Sequence, residues 1–175
     1  MSNGDEGRTS CHRDRTEEKL AIGAQGIVLQ PGEGLVSSFT PGRSIVLKLL
    51  GGATGDSIMM FEETVPAGTK STFHLHHDSD EVAYVLSGEV TFRIGDEVTV
   101  SGPGTCAFMP RGVPHAWKST GAETGRVLFL YTPARAGGLI EEPQRTGRKF
   151  ASMTEAELAE MLQRHGWELL GPSQL

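Results

Sequence analysis

A chain of 175 residues fits one domain and is long enough to bury a core without disulfide staples. Its formal net charge of −6, with no basic run and no interleaved aromatics, argues against nucleic acid or an anionic membrane as the main partner. The two cysteines, Cys11 in a polar stretch and Cys106 in an apolar one, make no disulfide framework, and free thiols fit a cytoplasmic protein.

Residues 1–22 are mixed-charge and poor in large apolar side chains, so they are expected to form a disordered polar tail. They lack the apolar core of a secretory signal, and no window of the chain approaches a membrane span. From about residue 23 to 135 short β-branched and apolar runs recur between glycines. They are 26–29, 44–50, 56–65, 81–87, 89–94, 97–100, 105–109 and 126–132. Spacing of this kind predicts an antiparallel barrel or sandwich. Gly95-Asp96 reads as a two-residue hairpin turn and Ser87-Gly88 as another tight turn. After Thr132 the strands are expected to stop. Residues 136–175 then form a C-terminal extension, irregular through residue 150 because glycine and proline break any periodicity, with one helix at about 154–165. Thr154 with Glu157 makes its capping box, Met153 with Leu158 its hydrophobic staple, and Gly166 its stop.

The chemistry concentrates in two blocks. His74 and His76 sit two apart on one predicted strand and so project to one side, with Leu75 pointing away. Glu81 follows across the short HDSD connection, and Ala83 and Val85 share its face, small enough to leave a cavity. His115 emerges from the rigid turn Pro110–Pro114 on a strand that puts Trp117 on the same face, where Trp117 walls a substrate pocket or packs as plain core. Three neutral imidazoles and one carboxylate suit a divalent transition metal, Fe, Ni, Mn, Co, Cu or Zn. With a dication the group carries a net charge near plus one and attracts an enolate, catecholate or carboxylate oxygen.

These two blocks resemble the paired motifs of the cupin superfamily. The first pattern (glycine, five residues, His-x-His, four residues, Glu, six residues, glycine) is matched from Gly68 to Gly88. The second (glycine, five residues, Pro-x-Gly, two residues, His, three residues, Asn) is matched from Gly104 to His115 but has Ser119 in the last position. The resemblance covers roughly residues 44 to 132. It implies an all-β fold, a single cupin jelly-roll β-barrel with a short C-terminal α-helix, and one metal per subunit on His74, His76, Glu81 and His115. The tail is similar to that of small bacterial cupins described as quercetin dioxygenase-like.

Other side chains receive quieter readings. His77 falls on the opposite strand face, while His12 and His165 are given no function. Met59 to Phe61 reads as core, and Cys106 as a small buried hydrophobe. Glu62 and Glu63 take opposite faces, so one of them can reach the lumen. Arg93 is expected to face solvent and Arg111 to guard the mouth.

The reading that follows is a metal-dependent dioxygenase acting on a small enol or flavonol-like aromatic, with Glu81 as both ligand and base. The alternatives are a non-oxidative isomerase, decarboxylase or lyase, or a non-catalytic binding module. Arginines facing the metal would favour a small carboxylate substrate; an apolar lumen would favour the oxygenase. The resemblance further implies a homodimer, with residues 26–50 the segment to be paired or exchanged. Gly137-Gly138 would serve as the hinge of a lid formed by residues 133–150.

Overall fold

The computed structural model describes residues 26–40 and 42–175; the predicted polar tail, with Cys11 and His12, lies outside them. Eleven strands form among the described residues: β1 Leu35–Thr40, β2 Arg43–Leu49, β3 Met59–Val65, β4 Phe73–His76, β5 Asp80–Ser87, β6 Val90–Ile94, β7 Glu97–Ser101, β8 Cys106–Met109, β9 His115–Ser119, β10 Gly125–Thr132 and β11 Trp167–Gly171. Two helices, α1 Gly138–Thr146 and α2 Glu155–Arg164, lie between β10 and β11. The strands make a six-stranded sheet in the order β1-β2-β3-β10-β5-β8 and a five-stranded sheet in the order β11-β4-β9-β6-β7. Every pairing is antiparallel. The fold is the expected all-β jelly roll with a short C-terminal helix.

Alternation builds the core. Along β3, Met59, Phe61, Glu63 and Val65 are buried while their neighbours are only partly so. On β10, Val127, Phe129 and Tyr131 point inward in the same rhythm. Apart from Glu63, these side chains join Ile45, Leu47, Ala83, Val85, Phe92, Met109 and Trp117 in one cluster between the sheets. The pairing registers stack the inner face of the six-stranded sheet in layers. Met59, Tyr131 and Glu81 are level, then Phe61, Phe129 and Ala83, then Glu63, Val127 and Val85. Gly95-Asp96 turns β6 into β7, with Ile94 opposite Glu97 and φ +59° at the glycine.

Several local expectations need correction. Residues 26–29 form no strand: Val28 is largely exposed, and the first strand is instead Leu35–Thr40, whose two central serines hid it. The strands do not stop at Thr132, because β11 closes the five-stranded sheet against β4. Residues 133–150 are not irregular either. They hold a 3-10 turn, Ala134–Gly137, and helix α1, which takes Pro143 inside it and buries Leu139 and Ile140. The Gly137-Gly138 pair is closely packed. A Cβ on Gly137 would lie 2.6 Å from the Met59 side chain, and one on Gly138 would strike the His165 ring. Cys106 is exposed, since the alternation of β8 turns it outward while Ala107 and Met109 go in. Helix α2 has the capping box, the Thr154 hydroxyl accepting from the Glu157 N–H and the Glu157 carboxylate accepting from the Thr154 N–H. Among the described residues no helix is long and apolar enough to cross a membrane.

Candidate metal centre

Three strands deliver four donors to one point. β4 supplies His74 and His76, the start of β5 supplies Glu81, and the start of β9 supplies His115, which is register-paired with His74. All four side chains are buried, and a donor atom from each lies within 4.8 Å of the others. Donors about 2.1 Å from a common ion lie no more than about 4.2 Å apart, so a small inward movement suffices to close on a metal. The group can therefore hold one ion.

Hydrogen bonds orient the rings. His74 Nδ1 donates to the Thr72 carbonyl and His115 Nδ1 to the Val113 carbonyl, each at 2.9 Å, which turns Nε2 of both toward the centre. Glu81 Oε2 accepts from His76 Nε2 at 2.8 Å and from His115 Nε2 at 3.1 Å. His76 Nδ1 is buried without a hydrogen-bond partner. Burial, reinforced by the nearby His115, drives the His74 pKa down to about 3, so this ring stays neutral. Burial alone would raise Glu81, but the hydrogen bonds from His115 and His76 outweigh it and hold the carboxyl ionised. Burial works against a charge on His115 as well, yet the Glu81 bond and charge raise its pKa overall. Without an ion, Glu81 is thus answered by a proton held on the imidazoles. A divalent cation is the natural replacement for that proton.

The connection between His76 and Glu81 is tied down at every residue. The His77 side chain meets Glu168 at 3.0 Å, on the outer face as expected, and the His77 N–H donates to the Gly166 carbonyl. Asp78 pairs with Arg135, and Ser79 Oγ accepts from the Ala136 N–H at 3.0 Å. Asp80 takes both the backbone N–H and the guanidinium of Arg111, which hold its carboxyl well below the usual range. Arg111 is therefore bound to Asp80 at the base of the turn before His115. Arg93 lies over the Phe73 ring and donates to Gln174, away from the four donors. His165 caps α2 and meets Glu142 at 2.8 Å. Ser119, in the place of the motif asparagine, is buried with its hydroxyl 3.4 Å from the Val65 carbonyl.

The residues expected to line a pocket all point inward. Ala83 and Val85 are fully buried on the Glu81 face, and Trp117 is 5% exposed with its ring 5.6 Å from Phe129. Three features escaped the sequence reading. Tyr131 is buried at the level of Glu81 with its ring 5.2 Å from His76, and burial, helped by the charges of Glu81 and Glu63, keeps its phenol protonated. Arg43 enters the interior, pairs with Glu63 at 2.6 Å and lies over Trp117. Trp167 stacks on the histidines. Of the two adjacent glutamates, Glu63 is the inward one. The only sequence signal for Arg43 was its two-residue phase with Ile45 and Leu47 on a strand.

Residues 61–131 match the family described as "Cupin domain". That segment is a cupin domain, and the strands around it complete the jelly roll. It is 24% identical over 117 residues to the HTH-type transcriptional regulator PuuR of Escherichia coli K12, covering 67% of this chain and 54% of that protein. It is 35% identical over 65 residues to the dimethylsulfoniopropionate lyase DddQ of Ruegeria pomeroyi, covering 37% of this chain and 32% of that one. The chain thus spans about half the length, or less, of these curated relatives. Among solved structures, KdgF from a Halomonas species superimposes with a TM-score of 0.56 at 20% identity, over 62% of this chain and 94% of that one. That likeness concerns the fold alone.

Proposed function

We propose that His74, His76, Glu81 and His115 bind one divalent transition metal and that the protein is a dioxygenase of a small enol or flavonol-like substrate. The carrying observation is what lies next to the donors on the inner faces. One layer beyond Glu81 and Tyr131 the interior is aromatic, with Phe61 stacked on Phe129 at 5.2 Å and Trp117 beside them. A flat substrate suits such walls, and its enol oxygen suits a group of net positive charge. The metal, when bound, supplies a Lewis acid that holds and acidifies that oxygen. Glu81, kept ionised, is placed to accept the enol proton, and Tyr131, kept protonated, is placed to donate to an oxygen of the substrate. Ala83 and Val85 are small, buried side chains on the Glu81 face, and the buried setting keeps bulk water out. The test is dioxygen consumption by Fe-, Ni- and Mn-loaded protein given flavonols. Uptake above that of the free metal supports the reading, and none above it rejects the oxygenase.

A second reading has its own observation. Arg43 reaches the interior two layers from Glu81, and its guanidinium, held by Glu63 at 2.6 Å, favours a small carboxylate that takes the place of Glu63 and is turned over without dioxygen. The lyase relative points the same way. Anaerobic turnover of small carboxylic acids by the loaded protein, abolished in Arg43→Met, would select it. In either case we propose a homodimer, because Tyr84, Leu86 and Phe108 are exposed together on the outer face of β5 and β8. Light scattering that gives the monomer mass would reject the dimer.

A further inference from the structure

We propose that Trp167, outside the matched cupin domain, is a positioning residue for the metal donors. This rests on reading His74, His76, Glu81 and His115 as ligands. The indole lies flat on the His74 ring, with centroids 4.6 Å apart and planes 13° from parallel. It meets the His76 ring edge-on at 4.2 Å and 80°. One side chain therefore touches two of the three imidazoles. Packing of this kind removes the rotational freedom an imidazole has about its last side-chain torsion.

The backbone repeats the arrangement. β4 pairs with β9 through the register pair His74–His115, and the Gly112 N–H donates to the His76 carbonyl on the same edge. On its other edge β11 sets Trp167 opposite His76 and Leu169 opposite His74. The indole N–H is fixed in turn, donating to the Ala136 carbonyl at 2.8 Å. The Ala136 N–H donates to Ser79, inside the loop that joins His76 to Glu81. A closed circuit results: histidines, Trp167, Ala136, Ser79, and back to the carboxylate donor. Gly166 makes the approach possible. Its φ is +70° and a Cβ there would sit 2.7 Å from an Asp78 oxygen, so the chain can lie against the HDSD loop only as glycine. Partners that orient metal ligands typically set about 10- to 100-fold in affinity.

The experiment measures Zn²⁺ and Co²⁺ affinity by competition with a chromophoric chelator, on protein shown folded by circular dichroism. Trp167→Ala is expected to weaken binding by about 10-fold or more and to shift the Co²⁺ absorption bands, as rings no longer held in place rearrange around the ion. Trp167→Phe keeps a ring against His74 and loses only the bond to Ala136, so it should restore most of the affinity. Leu170→Ala, on the exposed side of β11, should leave affinity unchanged. In a Trp117→Phe background, Co²⁺ should quench the fluorescence of Trp167. Should Trp167→Ala fail to fold, Trp167→Leu, which fills the space without a ring, takes its place. Equal affinity and unaltered bands in the variant without the ring, with normal binding by the wild type, would overturn this inference alone. No binding by the wild type would overturn the metal reading with it.

Discussion

The barrel interior buries charge in two regions, and they differ in what is left over. Around Glu81, three imidazoles and a carboxylate crowd together with His76 Nδ1 unpartnered, and the charge is balanced only by a proton that the rings share with Glu81. Two layers along the same sheet, about 13 Å at strand rise, Glu63 is answered directly by the Arg43 guanidinium at 2.6 Å. The first region can exchange that proton for a cation from outside. The second is complete within the chain. The contrast explains why burial of polar groups does not by itself identify a site; the informative part is which demands the chain leaves unmet.

The sharpest way to break this comparison is to remove a donor. Glu81→Ala should lose metal by more than the roughly 10- to 100-fold typical of outer partners, and elemental analysis after dialysis reads it directly. Retention of a full equivalent would place the ion elsewhere. Next in size is the ion pair. Arg43→Met strands a buried carboxylate and should cost about 3 kcal/mol in urea unfolding at neutral pH, the low end for such a loss because Arg43 is partly exposed. The double variant Arg43→Met with Glu63→Leu should recover most of that. Burial raises the Glu63 pKa despite Arg43. Its folded form therefore holds the proton longer than the unfolded chain, and stability falls as pH rises from 4.5 through the raised value. The penalty of Arg43→Met should accordingly shrink on acidification.

Protons distinguish the regions a third way, with a smaller net effect because the signs oppose. His74 has a folded pKa of about 3 against 6.5 unfolded, so the metal-free protein loses its contribution as pH falls through that window. Glu81, depressed below 4.5, also gives up stability on acidification, at lower pH still. His115 is raised, so its contribution is full below 6.5 and is lost as pH rises through the higher value. NMR of the ring resonances in metal-free protein should show His74 neutral near pH 5 and His115 charged there. Identical titration of the two rings would refute the assignment.

How much of this was legible beforehand follows from which signals are local. The four donors were readable because ligand spacing on strands is a two-residue rule, and the HDSD and Pro110–Pro114 turns are short enough to fix relative position. Gly95-Asp96 and the Thr154 capping box were readable for the same reason. β1 was not, since its serines lack strand character and its pairing with β2 is a tertiary event. Trp167 was hidden behind a helix stop, and only pairing with β4 makes its segment a strand. Helix α1 was masked by Gly138 and Pro143, residues that local preference forbids and packing against Met59 and His165 tolerates. Arg43 and Glu63 are twenty residues apart, and no local rule joins them.

The smallest effect is the most discriminating. Glu63→Gln keeps an oxygen for the Arg43 N–H to donate to, removes the carboxylate charge, and relieves its desolvation, so gains and losses nearly cancel. Stability should move by less than about 1 kcal/mol, and the decline with rising pH that Glu63 contributes should disappear. If the Arg43–Glu63 pair is self-contained, Zn²⁺ affinity in the same variant should change by less than about tenfold, since Glu63 lies two layers from Glu81 and is paired with Arg43. A larger fall, comparable to that of a donor variant, would mean that the two buried regions act as one electrostatic unit, with Glu63 part of the ion's environment and the contrast between them false.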